Sequence, residues 1–186
     1  MRYWVTFLDD NTRFKAVVPM KSKDETFSAF QHYKAWAENK TGRKIGTLRD
    51  DKGGEYMSNA FQKFCDDAGI ARQHTVRNRP QQNGDAERLN RTLEEGLVSM
   101  LQEAHLPNTF WGEALATLVH VLNCTPSSTV PDSTPYELFY HAKPDLSNLR
   151  IFGSLAYVHI QKDQRGSLGS HCVKAIFLGY PDGYKG

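Results

Sequence analysis

Apolar and polar positions change period several times along this 186-residue chain. Residues 2–8 are dense in β-branched and aromatic side chains and predict a strand. Asp9, Asp10, Asn11 and Thr12 supply turn chemistry. Residues 14–20 read as the returning strand, with Pro19 at its frayed end. Across 23–39 the apolar residues Phe27, Phe30, Tyr33 and Ala37 recur at helical spacing, and Thr41-Gly42 stops that helix. Residues 45–51 predict a short strand that runs into the turn Lys52-Gly53-Gly54. Ser58 is placed to cap a helix whose apolar face is Phe61, Phe64, Cys65 and Ala68. Gly69 closes it, and 70–76 predict another strand.

Residues 77–84 are polar, contain Pro80 and Gly84, and read as a loop. From 85 to 105, Leu89, Leu93, Leu97, Met100 and Leu101 share one face of a long amphipathic helix that Pro107 ends. A further helix is expected over 110–123. A Pro/Ser/Thr-rich linker follows over 125–135, then a helical turn over 135–140. Residues 151–160 and 173–180 predict strands on either side of a Gly/Ser/Lys-rich loop. No repeat or low-complexity tract interrupts this order. A strand hairpin followed by helix, strand, helix, strand and long helix indicates a mixed α/β domain, here 1–124. A linker over 125–150 then leads to a small β unit over 151–186.

Composition sets the outer limits. Hydrophobic residues make up 39% and charged residues 24%, which suits a packed core rather than disorder. No apolar run is long enough to span a bilayer, and the first eight residues do not resemble a signal peptide. Cys65, Cys124 and Cys172 are far apart and lack zinc-ligand spacing, so reduced thiols of an intracellular protein are expected. The net charge of +2 says little about partners. Its distribution says more: Arg72, Arg77, Arg79, Arg88 and Arg91 are opposed in their stretch only by Asp85 and Glu87. Such a stretch suits phosphates. Trp4, Trp36 and Trp111 fall on apolar faces and read as core. His74 and His120 lie within predicted elements and read as core or surface residues rather than ligands.

Two carboxylates stand out. Asp51 follows a predicted strand and precedes two glycines, which lets a carboxylate face a cleft while backbone approaches a ligand. Taken alone, it reads better as a solvated turn aspartate, because Asp-x-Gly-Gly is a common turn. Glu87 falls in the first turn of a helix, where the dipole favours a carboxylate in any case. The amide-rich loop before it and Arg88 and Arg91 after it suit phosphates and base edges better than a core.

Thirty-five residues, 52 to 86, separate Asp51 from Glu87, and Pro80-Gln81-Gln82-Asn83-Gly84 precedes the glutamate. This pattern resembles the D,D-35-E integrases. Further motifs run in order along the chain: Phe7-Leu8-Asp9-Asp10 with Arg13, Asp51-Lys52-Gly53-Gly54-Glu55, Phe110-Trp111-Gly112-Glu113-Ala114, Thr134-Pro135-Tyr136-Glu137-Leu138, Leu149-Arg150-Ile151-Phe152-Gly153 and Ile176-Phe177-Leu178-Gly179-Tyr180. Together they resemble the integrase region of copia-type LTR retrotransposon Pol polyproteins.

The resemblance implies an RNase H-like core, a mixed sheet flanked by helices, lacking its first strand and followed by a partial SH3-like barrel over 151–186. It implies DNA integration, in which a polynucleotidyl transferase joins element DNA 3′ ends to target DNA with two magnesium or manganese ions. Asp51 and Glu87 correspond to the second and third metal-binding carboxylates. Gln81, Gln82 and Asn83 correspond to the loop that meets the DNA end. Lys52, Arg88 and Arg91 are expected to contact DNA on charge and position. The resemblance further implies DNA ends and target as partners, a homo-oligomer in the full-length form, and a nuclear location after a cytoplasmic phase within a polyprotein, with no membrane partner.

The sequence departs from the family pattern in three ways. The first carboxylate is expected on a strand before residues 2–8, upstream of Met1; Asp9 and Asp10 read as turn formers instead. Lys52 stands where asparagine is usual, and Asp85 where an apolar residue is usual. Whether the chain is an enzyme is therefore open. A fragment with little strand-transfer activity is expected. A non-catalytic nucleic-acid-binding remnant is the alternative, and an RNase H-type nuclease a third reading.

Overall fold

The β1 strand (Tyr3–Leu8) and β2 (Lys15–Met20) pair antiparallel, with Val5 opposite Val18 and Phe7 opposite Ala16. The two-residue period turns Val5 and Phe7 into the core and leaves Trp4, Thr6 and Leu8 half-buried on the other face. Asp9 makes the turn. Its Oδ2 accepts hydrogen bonds from the Thr12 backbone N–H at 2.8 Å and the Thr12 hydroxyl at 2.6 Å. The aspartate is thus a turn former, as expected.

The computed structural model describes residues 3–51, 53–74, 84–166 and 169–180. Two compact units divide the chain. One comprises Met1–Thr92 and Leu122–Pro144, the other Leu93–Val121 and Asp145–Gly186.

In the first unit the chain continues from β2 through a 3-10 turn at Lys23–Glu25 into α1 (Thr26–Thr41). Gly42 ends α1 in the left-handed region at φ 67°, donating its N–H to Glu38 O. Then come β3 (Thr47–Asp50), α2 (Asn59–Asp67) and β4 (Ala71–His74), with β3 and β4 parallel. Ser58 caps α2 through a bond from the Phe61 N–H to its Oγ at 3.1 Å. α5 (Pro135–Tyr140) forms where the sequence predicts it, with Thr134 capping its start and Pro135 opening it.

Aromatic residues fill the core of this unit. Phe30 and Phe61 are buried on α1 and α2 with ring centroids 5.3 Å apart, and Phe7 stacks on Tyr33 at 4.4 Å. Each fully buried ring of this kind contributes roughly 1.5–3 kcal/mol. A second cluster joins Phe14, Ala37 and Phe139, the two rings stacked at 4.1 Å, with Trp36 against it. Asn123, 4% exposed, clips the start of β2: its Oδ1 accepts from the Lys15 N–H at 2.9 Å and its Nδ2 donates to Lys15 O at 2.8 Å.

The amphipathic α3 (Gly84–Glu103) and α4 (Trp111–Cys124) contribute residues to both units. In the second unit, Leu101, Ala114 and Phe152 form a buried cluster with Trp111 against it. Strands β5 (Leu155–His159) and β6 (Cys172–Ile176) pair antiparallel and are shorter than the pattern predicts. Gly153 adopts φ 79°, outside strand geometry, and Phe152 before it is buried with Leu101 and Ala114. Beyond β6, Thr117 Oγ1 donates to Leu178 O at 3.5 Å and Tyr180 lies 4.6 Å from the His120 ring, so this stretch follows α4 instead of continuing the strand. Cys65 and Cys124 are buried and Cys172 is exposed. No helix among the described residues is long and apolar enough to cross a membrane.

Candidate functional site

Among the described residues, β1 pairs with β2 and β3 with β4, and β1 and β3 are not hydrogen-bonded to each other. Between them lies a cleft of about 280 Å³ within the first unit. One wall is β1 from Tyr3 to Leu8, another the end of β3 with Arg49, Asp50 and Asp51, and a third the start of α3 with Ala86, Leu89 and Asn90. Thr6 Oγ1 donates to Asn90 Oδ1 at 3.1 Å, linking β1 to α3.

The adjacent aspartates at the end of β3 do different things. Asp50 is buried at the last position of the strand. Its Oδ2 accepts from Arg72 Nη2 at 2.5 Å and its Oδ1 lies 2.7 Å from His74 Nδ1. Parallel register accounts for this: Asp50 sits opposite His74 and Leu48 opposite Arg72, so these side chains share a face. Arg72 also donates to Tyr56 O at 2.7 Å and lies 4.7 Å over the Phe61 ring. Arg72 is therefore a structural cation, not part of a phosphate-holding basic stretch. His74 is a carboxylate partner.

Asp51, one residue on, is exposed and lines the cleft. Its Oδ1 accepts from the Gly53 N–H at 3.0 Å, so it also makes the local turn. One side chain thus both borders the cleft and makes the turn. Glu87 is exposed in the first turn of α3, next to the cleft-lining Ala86. Arg88 and Arg91 are exposed on the same helix. Lys52, Gln81, Gln82 and Asn83 lie outside the described residues.

Asp85 carries interactions that a sequence pattern does not show. Its Oδ2 lies 2.9 Å from Arg13 Nη2 on the β1–β2 connection, and its Oδ1 accepts from Arg88. The Arg88 and Arg13 guanidiniums hold the Asp85 carboxyl below the usual carboxylate range. The second unit presents a different surface: Ile151, Leu155, Tyr157, Val158, Val173 and Ile176 are all exposed on and beside the β5–β6 pair.

Asp51 and Glu87 are hard oxygen donors of the kind magnesium or manganese takes. In number they do not fit a two-metal clamp. Among the described residues, no three His, Cys, Asp or Glu side chains come together to hold a metal ion.

Residues 154–186 match the family profile of the retroviral polymerase SH3-like domain. Along nearly its whole length the chain is similar to the retrovirus-related Pol polyprotein from transposon TNT 1-94 of Nicotiana tabacum. The two are 42% identical over 181 residues, 97% of this chain and 14% of that protein. It is 30% identical to the Pol polyprotein from transposon RE1 of Arabidopsis thaliana, over 96% of this chain and 12% of that one. The chain thus spans a small part of the length of these relatives. Among solved structures, a chain of the simian T-cell lymphotropic virus intasome in complex with PP2A regulatory subunit B56 gamma matches with TM-score 0.60 and 18% identity. That match covers 92% of this chain and 62% of the other. The HTLV-2 integrase catalytic core domain in complex with magnesium (trimeric form) matches with TM-score 0.55 and 22% identity, over 72% of this chain and 82% of the other. At these identities the structural likeness speaks to the fold: the mixed α/β arrangement is that of retroviral integrase cores.

Proposed function

This chain belongs to the integrase region of copia-type retrotransposon Pol polyproteins, and from that premise we propose that it is the DNA-handling part of an integrase core, contributing two of the three carboxylates of a DNA strand transferase. The observation that carries this reading is the cleft that places Asp51, at the end of β3, in one cavity with the first turn of α3 beside Glu87.

In this reading residues 1–124 are the catalytic core, 125–150 the linker and 151–186 the start of the SH3-like unit. Asp51 and Glu87 are the second and third acidic ligands. Arg88, Arg91 and Lys52 meet phosphates, and Gln81, Gln82 and Asn83 meet the DNA end. Exposed guanidiniums and amides on one helix and the loop before it suit backbone contacts, which position DNA without reading its sequence. Two carboxylates are too few to clamp two metal ions, so no catalytic step is assigned to these residues alone. This chain binds DNA and is inactive or nearly so in strand transfer. The complete protein is an oligomer that acts on element ends and target DNA in the nucleus.

A non-catalytic DNA-binding remnant is the second reading, favoured by the engagement of the Asp51 carboxylate with the Gly53 N–H. A strand-transfer assay with magnesium or manganese and a labelled duplex end separates the two. It is run on this chain and on a version extended upstream to include an Asp-bearing strand. Activity only in the extended version, abolished by Glu87→Gln, is the expected result. DNA binding without activity in either version would favour the remnant. Activity in both would mean the first carboxylate lies within this chain.

A further inference from the structure

The ion pairs around Asp85 join two arginines from separate elements on one carboxylate. Arg13 comes from the β1–β2 connection, where its backbone adopts φ 60°. That conformation is unusual for a residue with a side chain and commonly marks a functional constraint. Its side chain is 18% exposed, and one nitrogen reaches Asp85 Oδ2 at 2.9 Å while the other lies 3.5 Å from Asp10 Oδ1. Arg88 takes the other Asp85 oxygen from the next turn of α3, with its side chain 76% exposed. Each oxygen of a single anionic group therefore carries a guanidinium.

Two converging guanidiniums at the first turn of a 20-residue helix form a receptor for an oxyanion. A phosphodiester offers the same features as the carboxylate now present: one negative charge shared by two oxygens, presented to planar forks. We propose that Arg13 and Arg88 form a binding site for a DNA backbone phosphate, and that Asp85 is an internal stand-in which DNA must displace. This rests on the reading of the chain as a DNA-binding integrase region and adds Arg13, which no sequence motif marked as a DNA contact. It also gives Asp85 a consequence. In its presence both arginines are engaged before DNA arrives and one of their two positive charges is offset, so affinity is held down and DNA meets fewer free cations.

The test is duplex DNA binding by fluorescence anisotropy across a salt series, on the whole chain and its variants. Asp85→Ala is expected to bind several-fold more tightly, with a salt slope steeper by about 0.9, the contribution of the one phosphate contact that Asp85 blocks. Glu94→Ala removes the same charge from an exposed position on the same helix and is expected to produce a smaller gain with little change in slope. Adding Arg13→Ala and Arg88→Ala to Asp85→Ala should abolish both effects, and thermal melting checks that each variant is folded. Equal affinity and slope for wild type and Asp85→Ala would overturn the proposal while leaving the DNA reading intact. An equal gain from Glu94→Ala, or one that survives loss of both arginines, would overturn it too. No DNA binding by any variant would remove the DNA reading and this proposal with it.

Discussion

The carboxylate of Asp50 lies 2.5 Å from the guanidinium of Arg72, and their side chains are 2% and 4% exposed. Breaking a buried pair from one side leaves the other charge without its partner, at a cost of about 3–5 kcal/mol. Asp50→Ala is expected to destabilise by that order, because Arg72 stays anchored by Tyr56 O and Phe61 and cannot escape to water. Asp50→Asn, which keeps an acceptor, should cost less. Urea unfolding of the two variants checks the ranking; equal loss would mean the retained acceptor contributes nothing and the lost charge accounts for the cost.

Asp51 and Glu87 predict the opposite behaviour. Both are exposed, and surface substitutions usually change stability by less than about 0.5 kcal/mol. Asp51→Asn and Glu87→Gln should melt close to the wild type, yet each should abolish strand transfer in an integrase region that carries the upstream carboxylate strand. Asp51→Ala should melt slightly lower than Asp51→Asn, because it loses the acceptor for the Gly53 N–H.

Glu38 gives a pH-dependent contact. Lys34 bonds its Oε2 at 2.8 Å and the Ile45 N–H its Oε1 at 3.0 Å. The Lys34 bond, helped by the Ile45 N–H, holds the carboxyl below its ordinary value of 4.5. The stabilisation is therefore fully present above about pH 4.5 and is lost as the pH falls through the lower folded value. Amide exchange at Ile45, followed by NMR after correction for intrinsic rates, should rise over that acid range. Glu38→Gln should remove the acid dependence.

The clip between Asn123 and Lys15 predicts a local lesion. Asn123→Ala leaves the Lys15 N–H and C=O without these partners at a buried position, costing about 1–3 kcal/mol. Asn123→Asp should also destabilise, because the side chain loses the N–H donor that meets Lys15 O. Thermal melting tests both.

What the sequence revealed was mostly local. The Ser58 cap, the Gly42 stop, the Asp9 turn and the Thr134-Pro135 helix start each depend on residues within a few positions of one another. The relationships it hid span distance. Two adjacent aspartates look alike on paper; what separates them is that Asp50 meets Arg72 and His74, which lie 22 and 24 residues away. The same holds for Arg13 and Asp85, which no periodicity connects. The strands predicted over 151–160 and 173–180 were too long because their apolar content is shared between β pairing and packing beside α4. Only the left-handed Gly153 and the contacts of Phe152 and Thr117 resolve that division.

The parallel pairing of β3 with β4 also sets an order in time. The β1–β2 hairpin closes over a short connection, an event of about 1–10 μs in isolated hairpins. Asp50 must find His74 across 24 residues, after α2 has formed and turned the chain back. The platform that carries Asp51 is thus expected to be a late product of folding. Pulse-labelled exchange should record protection at Val5 before Gln73; the reverse order would place the crossover first. A newly made chain would spend an interval with its first wall built and its acidic corner still unformed.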